Sequence, residues 1–105
     1  MQFALIYNKA TGPSGVPKKG AHLVTYPGGD KEWYLNGVLH RTDGPAIECG
    51  DGHKAWYQDG QRHRLDGPAV EWKSGAKAWW INGIKFTEEE WETKRIKYIL
   101  KGQIV

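Results

Sequence analysis

The chain has little of what several common protein classes need. Its 105 residues contain one cysteine, which argues against an internal disulfide and against a zinc or redox site built on a Cys-x-x-Cys pair. No apolar run approaches the roughly 20 residues of a membrane-spanning helix, and the stretch 1–7 is too short for a signal peptide. Signatures of the Gly-x-Ser-x-Gly, His-Glu-x-x-His and P-loop types do not occur. We therefore expect a single cytoplasmic domain with no membrane span, metal or cofactor.

The chain also has only a small excess of charge of one sign. Fifteen Lys and Arg against 12 Asp and Glu give a formal net charge of +3, which permits an acidic partner without requiring one. Glycine and tryptophan, in contrast, are abundant, with 14 and 6 residues. Disordered chains are poor in aromatic residues, so the combination favours many tight turns that alternate with short aromatic strands.

The sequence repeats with a period of 23 residues. Three copies of a Lys-x-Trp-aromatic-x-(Asn/Asp)-Gly segment begin at Lys31, Lys54 and Lys77. A His-Arg-x-Asp-Gly-Pro-Ala segment begins at His40 and returns at His63. Asn-Gly and Asp-Gly form the turns of two-residue β-hairpins, and proline at the corner ends a strand because it has no N–H for a sheet. The period therefore predicts an array of antiparallel hairpins.

A different pattern closes the chain. Thr87 followed by Glu90 is a capping box that starts a helix, and Gly102 can end it. We therefore predict a mainly β fold of the α+β class, an antiparallel β-meander of hairpin repeats with one C-terminal capping helix. The predicted order is an edge strand over 1–7, a loop over 8–20, the repeat sheet over 21–86 and the helix over 88–101. Strands within the repeats are predicted at about 45–49, 53–58, 61–65, 68–73, 76–81 and 84–86.

A two-residue turn fixes which residues face each other across a hairpin. It places His40, His63 and Phe86 in the same position of the three copies, each opposite a tryptophan. Because the position accepts phenylalanine, we interpret the two histidines as packing residues, with ligand contact as the alternative.

Side chains on a strand alternate between the faces of a sheet. One face, named the Trp face, therefore carries Trp33, Trp56 and Trp79, and the other, named the Tyr face, carries Tyr34, Tyr57 and Trp80. The sequence does not decide which face the helix covers.

Two further positions recur. Arg41 and Arg64 precede the Asp-Gly-Pro corners; we interpret them as local ion-pair partners that join strands, and the alternative is a surface that grips a phosphate or carboxylate. Cys49 takes the position of Tyr26 and Trp72 in the neighbouring copies, so it is interpreted as filling an apolar position.

The Trp-x-x-Asn-Gly-x-x-His core with its glycine-rich turn resembles MORN repeats over about residues 21–86. The longer pattern Trp-Tyr-x-Asn-Gly-x-x-His-Arg-x-Asp-Gly-Pro-Ala is similar to a group of small proteins of tailed bacteriophages and large DNA viruses. Arg41 and Arg64 stand where MORN repeats have glycine, so lipid binding of the MORN kind is not expected. The resemblance implies a β-hairpin array in a cytoplasmic viral protein.

The leading functional prediction is a non-enzymatic interaction module, a phage accessory protein that binds and modulates or inhibits a host protein through an aromatic and arginine-rich sheet face. The alternative is binding of nucleotide or nucleic acid, because basic residues interleave with aromatic rings that can stack on bases. A homodimer paired through sheet edges is also expected. The candidate binding residues are Tyr34, Tyr57, Trp80, Arg41, Arg62, Arg64, His40, His63 and Lys85.

Overall fold

A computed structural model describes residues 18–103. The predicted edge strand over 1–7 and most of the predicted loop over 8–20 therefore lie outside the described residues. Within them the chain forms ten short strands and one C-terminal helix, which confirms the predicted fold class. The elements are β1 (Ala21–Thr25), β2 (Lys31–Leu35), β3 (Val38–Leu39), β4 (Ile47–Glu48), β5 (Lys54–Ala55), β6 (Tyr57–Gln58), β7 (Gln61–Arg62), β8 (Val70–Glu71), β9 (Lys77–Ile81), β10 (Ile84–Phe86) and α1 (Glu88–Leu100).

All strand pairs are antiparallel, as a meander requires. The main sheet runs in the order β1-β2-β4-β5-β8-β9-β10 with β3 paired to β2, and β6 and β7 form a separate two-stranded sheet. We number the repeats along this path as the first (21–43), the second (44–66) and the third (67–89). Each repeat contributes one strand before its tryptophan hairpin and then the hairpin itself.

The hairpin turns have the backbone that the sequence predicts. Asn36, Asp59 and Asn82 all have positive φ, between 49° and 52°, and each is followed by a glycine that also has positive φ. Two successive residues with positive φ define a type I′ turn, whose twist matches that of the strands. These turns give the hairpins the predicted register. The observed pairs are Tyr34 with Leu39, Tyr57 with Arg62, and Trp80 with Lys85.

Several strands are shorter than predicted, because the chain bends within each repeat. The predicted strand 53–58 is divided at Trp56, whose N–H donates to Ala69 O while its carbonyl accepts from His63. Its two halves, β5 and β6, therefore pair in different sheets. The predicted strands 45–49, 61–65 and 68–73 are likewise reduced to two residues each, since an Asp-Gly-Pro corner or a tight turn bounds them.

The helix covers the Trp face, and it does so at the third repeat. Trp91 is 4% exposed and packs with Leu65 and Ile81, and its Nε1–H donates to the carbonyl of Arg64. The predicted capping box at Thr87 is present, and Gly102, with a φ of 93°, follows the helix as predicted. The helix thus closes one end of the array on one side.

The Tyr face forms the other part of the core. Tyr34, Leu39 and Tyr57 are at most 5% exposed and pack with Ala46 and Ile47. Two of the candidate binding residues, Tyr34 and Tyr57, are therefore buried, because the hairpins of the first and second repeats pack together in one cluster. A tyrosine ring packed in the core cannot present its face to a partner, although Tyr57 still lines a cavity.

Candidate functional site

Arg41 and Arg64 have the same structural role in successive repeats. The guanidinium carbon of each lies 3.8 Å from the centre of a tryptophan ring, Trp33 and Trp56 respectively. Nε of Arg64 donates to Asp66 at 2.8 Å, and Nη1 donates to the carbonyl of Pro68 and to Glu71. Arg41 makes the equivalent contacts. Each arginine is thus an internal clamp that ties the Asp-Gly-Pro corner to the next strand.

The clamp also perturbs one of its acids. The hydrogen bond and charge of Arg41 hold the pKa of the Asp43 carboxyl below its usual value of 3.8. Because these arginines are already paired with carboxylates, they are poor candidates for gripping an external phosphate.

A ladder of alternating charges runs across the Trp face. Cross-strand pairing joins Lys31 to Glu48, Glu48 to Lys54, Lys54 to Glu71, and Glu71 to Lys77. Opposite charges that face each other across strands contribute roughly 0.2–1 kcal/mol per pair. The two glutamates of the ladder are also the ion-pair partners of Arg41 and Arg64. Sequence reasoning missed the ladder, although the recurrence of Lys and Glu at the 23-residue period was a readable signal.

His40 and His63 brace each hairpin against the next. Nδ1 of His40 accepts from the backbone N–H of Asp59, and Nδ1 of His63 accepts from that of Asn82, both at 3.0 Å. His63 is 1% exposed. These contacts support the packing interpretation. Among residues 18–103, no group of three or more His, Cys, Asp or Glu is arranged to hold a metal ion.

In the first repeat the Tyr face is closed by a buried carboxylate. Glu32 is 3% exposed, and its Oε1 accepts from the hydroxyls of Tyr34 at 2.8 Å and Tyr26 at 2.9 Å. Burial, together with the hydrogen bond to Glu32, raises the pKa of the Tyr26 hydroxyl. The side chains of Tyr26, Glu32 and Tyr34 therefore occupy this place on the Tyr face of β1 and β2.

The same place in the second repeat is open. Ala55 stands in the position of Glu32 and Cys49 in that of Tyr26, and both replacements are smaller. A cavity of about 300 Å³ lies there. The residues that line it are Ile47, Cys49, His53, Lys54, Ala55, Tyr57, Arg62, Val70 and Trp72.

Arg62 is the unusual member of this lining. It pairs with Tyr57 as Leu39 pairs with Tyr34, so it takes the position of a leucine that is 0% exposed. Its guanidinium carbon lies 5.0 Å from the Trp80 ring centre and 6.0 Å from that of Tyr57. Its Nε is buried and has no hydrogen-bond partner within the described part of the chain. A buried donor without an acceptor is rare in folded proteins.

The structure therefore divides the candidate residues between two faces. It brings Tyr57, Arg62, Trp80 and Lys85 together on the Tyr face. It places His40, Arg41, His63 and Arg64 on the Trp face, where they make the structural contacts described above.

Sequence reasoning missed Trp72 and Ala55. Trp72 is 41% exposed and lines the cavity beside Arg62. The signal for Ala55 was the Glu-to-Ala change between the first and second copies of the repeat. We name the patch formed by Arg62, Trp72, Trp80 and Lys85 the open patch.

No helix among residues 18–103 is long and apolar enough to cross a membrane. No family model, no curated protein and no solved structure matches the chain at a significant level. The resemblance to MORN repeats and to viral proteins therefore stays a prediction. The structure establishes a 23-residue hairpin repeat whose Tyr face changes along the array. In the first repeat this face buries Leu39 and Glu32, whereas the second and third repeats carry Arg62 and Lys85 in the position of Leu39.

Proposed function

We propose that the protein is a non-enzymatic binding module that engages a partner protein through the open patch. The observation that carries the proposal is the change at one repeated position, from Leu39 through Arg62 to Lys85. The first repeat buries this position in the core, whereas the second and third repeats place a cation beside tryptophan. A purely structural array would have no need for that change.

The chemistry of the open patch is typical of a protein interface. Tryptophan and arginine are enriched among the residues that dominate binding energy, and Trp72 is 41% exposed. The arginine clamps and the charge ladder hold the sheet beneath it by contacts that repeat from one unit to the next. A preformed surface loses little conformational freedom on binding, which favours affinity.

Binding of nucleotide or nucleic acid is the second candidate. Arg62 beside Trp80 can accommodate a base and a phosphate. Against this, the arginines of the Trp face are paired with acids, so the cations are not joined into one basic track. Protein binding is therefore the better supported of the two.

The sequence resemblance implies a cytoplasmic viral protein, and we propose that it acts as a phage accessory protein that modulates or inhibits a host protein. Pairing of two chains through a sheet edge is an additional expectation, for which β10 is an outer strand in the described sheet. Light scattering of the purified protein tests that pairing.

Affinity capture with matched variants tests the proposed function. The tagged protein is incubated with bacterial lysate, and bound proteins are quantified by mass spectrometry. We expect one protein to be enriched by the wild type, to be lost with Trp72→Ala and Lys85→Glu, and to be retained with Lys94→Glu on the exposed side of the helix. Equal enrichment by all four forms contradicts the proposal. Salt-sensitive capture of RNA or single-stranded DNA instead favours the second candidate.

A further inference from the structure

Comparison of the repeats shows that the cavity of the second repeat lacks one chemical group. In the first repeat, the Glu32 carboxylate accepts hydrogen bonds from two tyrosine hydroxyls. In the second repeat, Tyr57 remains in the position of Tyr34, but Ala55 replaces the glutamate. The Tyr57 hydroxyl makes no hydrogen bond within residues 18–103, and Tyr57 lines the cavity. The donor is kept and its carboxylate acceptor is missing.

The second repeat also adds a positive charge at this place. Arg62 replaces the buried Leu39, lines the same cavity and has a buried Nε without a partner in the described chain. An arginine beside a tyrosine hydroxyl forms a donor pair suited to a carboxylate, because charge-assisted bonds from guanidinium to carboxylate are short and strong. The remaining lining includes the apolar side chains of Ile47, Val70 and Trp72, and the polar side chains of His53 and Lys54.

We propose that this cavity binds a carboxylate carried on a short apolar stem, and that the ligand carboxylate takes the position that the Glu32 carboxylate has in the first repeat. Tyr57 and Arg62 donate to its oxygens, and the stem packs against Ile47, Val70 and Trp72. The cavity volume of about 300 Å³ admits only a small group. The ligand is a free monocarboxylate or the glutamate side chain of a partner. In the second case the inference deepens the proposed function and rests on it.

The binding experiment uses the full chain labelled with ¹⁵N and titrated with sodium butyrate at constant ionic strength. We expect saturable shifts of the amides of Ala55, Tyr57 and Arg62. Arg62→Leu, which restores the residue of the first repeat, and Ala55→Glu, which supplies the carboxylate internally, are expected to weaken binding by about tenfold or more, because each removes or occupies a charge-assisted bond. The absence of saturable shifts, or equal binding by Arg62→Leu, overturns the proposal.

Two further measurements keep the proposal falsifiable if a variant folds poorly. Tyr57→Phe removes only the hydroxyl and is expected to weaken butyrate binding. Ala55→Glu is expected to melt at a higher temperature than the uncharged Ala55→Gln, as only the carboxylate can pair with Arg62. A lower melting temperature for the glutamate variant overturns the proposal.

A parallel titration distinguishes the two ligand sources. The probe is a glutamate residue capped at both ends, so that its side chain holds the sole carboxylate. Binding of this probe at the same amides supports a partner glutamate, and binding of butyrate alone supports a free monocarboxylate. Ala55→Glu fills the cavity but leaves Trp72, Trp80 and Lys85 in place. Capture of the same partner protein by the wild type and by Ala55→Glu supports the proposed function whatever the butyrate titration shows. Capture by neither form contradicts the proposed function, and the titration then tests the inference by itself.

Discussion

The guanidinium carbon of Arg62 lies 5.0 Å from the centre of the Trp80 ring, in a position that the preceding repeat fills with the buried Leu39. The two repeats share their turns, register and arginine clamps. They differ in what they present on the Tyr face. The backbone is therefore the same in successive repeats, whereas the side chains on the Tyr face differ from one repeat to the next.

Replacing Arg62 by leucine is expected to preserve the fold and to raise the free energy of unfolding by about 1 kcal/mol. The reason is that Arg62 buries an unsatisfied Nε, and removing such a group is neutral or favourable. Urea denaturation monitored by tryptophan fluorescence measures the change. A loss of more than about 1 kcal/mol would show that Arg62 has a structural partner.

Arg64→Leu is the matched control in the same repeat, and the opposite sign is expected. This change removes two ion pairs, a bond to a backbone carbonyl and the stack on Trp56. We expect a loss of about 2 kcal/mol in the free energy of unfolding, measured in the same urea series. If Arg62→Leu and Arg64→Leu have equal effects, the distinction between clamp and open-patch arginines fails.

Trp91→Ala is expected to release the helix from the sheet. Trp91 is 4% exposed, lies 6.4 Å from the Trp79 ring and bonds to the carbonyl of Arg64. Truncation of a buried tryptophan costs about 3 kcal/mol or more. The helical circular dichroism signal should fall at a lower urea concentration than in the wild type. Leu100→Ala is the control, because Leu100 is 81% exposed and should change stability by no more than about 0.5 kcal/mol.

Acid is expected to weaken the first clamp. The pKa of Asp43 is lowered below 3.8 in the folded protein by its hydrogen bond from Arg41. A carboxylate with a depressed folded pKa contributes stability above its unfolded pKa and loses it as pH falls through the folded value. Asp43→Asn should therefore lose less stability than the wild type between about pH 5 and pH 2. Parallel slopes of stability against pH would contradict this assignment.

The hairpin array could be predicted from the sequence because its signals are local. Asn36, Asp59 and Asn82 each precede a glycine, and a two-residue turn then fixes the register without reference to the rest of the chain. Thr87 and Glu90 define the helix start in the same local way.

The candidate site was harder to predict, because it depends on contacts between repeats. The burial of Tyr57 comes from the neighbouring hairpins, and the pairing of Arg64 with Glu71 joins residues of adjacent repeats. A period shows that two positions are equivalent, but it does not show what lies between them. The cavity at Ala55 becomes visible only when the missing carboxylate is compared with Glu32 in space.

Site-specific photo-crosslinking is the most direct test of the open patch as the binding surface. A photoreactive phenylalanine derivative replaces Trp72 in one protein and Leu23 in another; Leu23 is 51% exposed and pairs with Trp33 of the Trp face. After irradiation in bacterial lysate, our account predicts one discrete protein adduct from position 72 and none from position 23. The same adduct from both positions, or an adduct from position 23 alone, would contradict it.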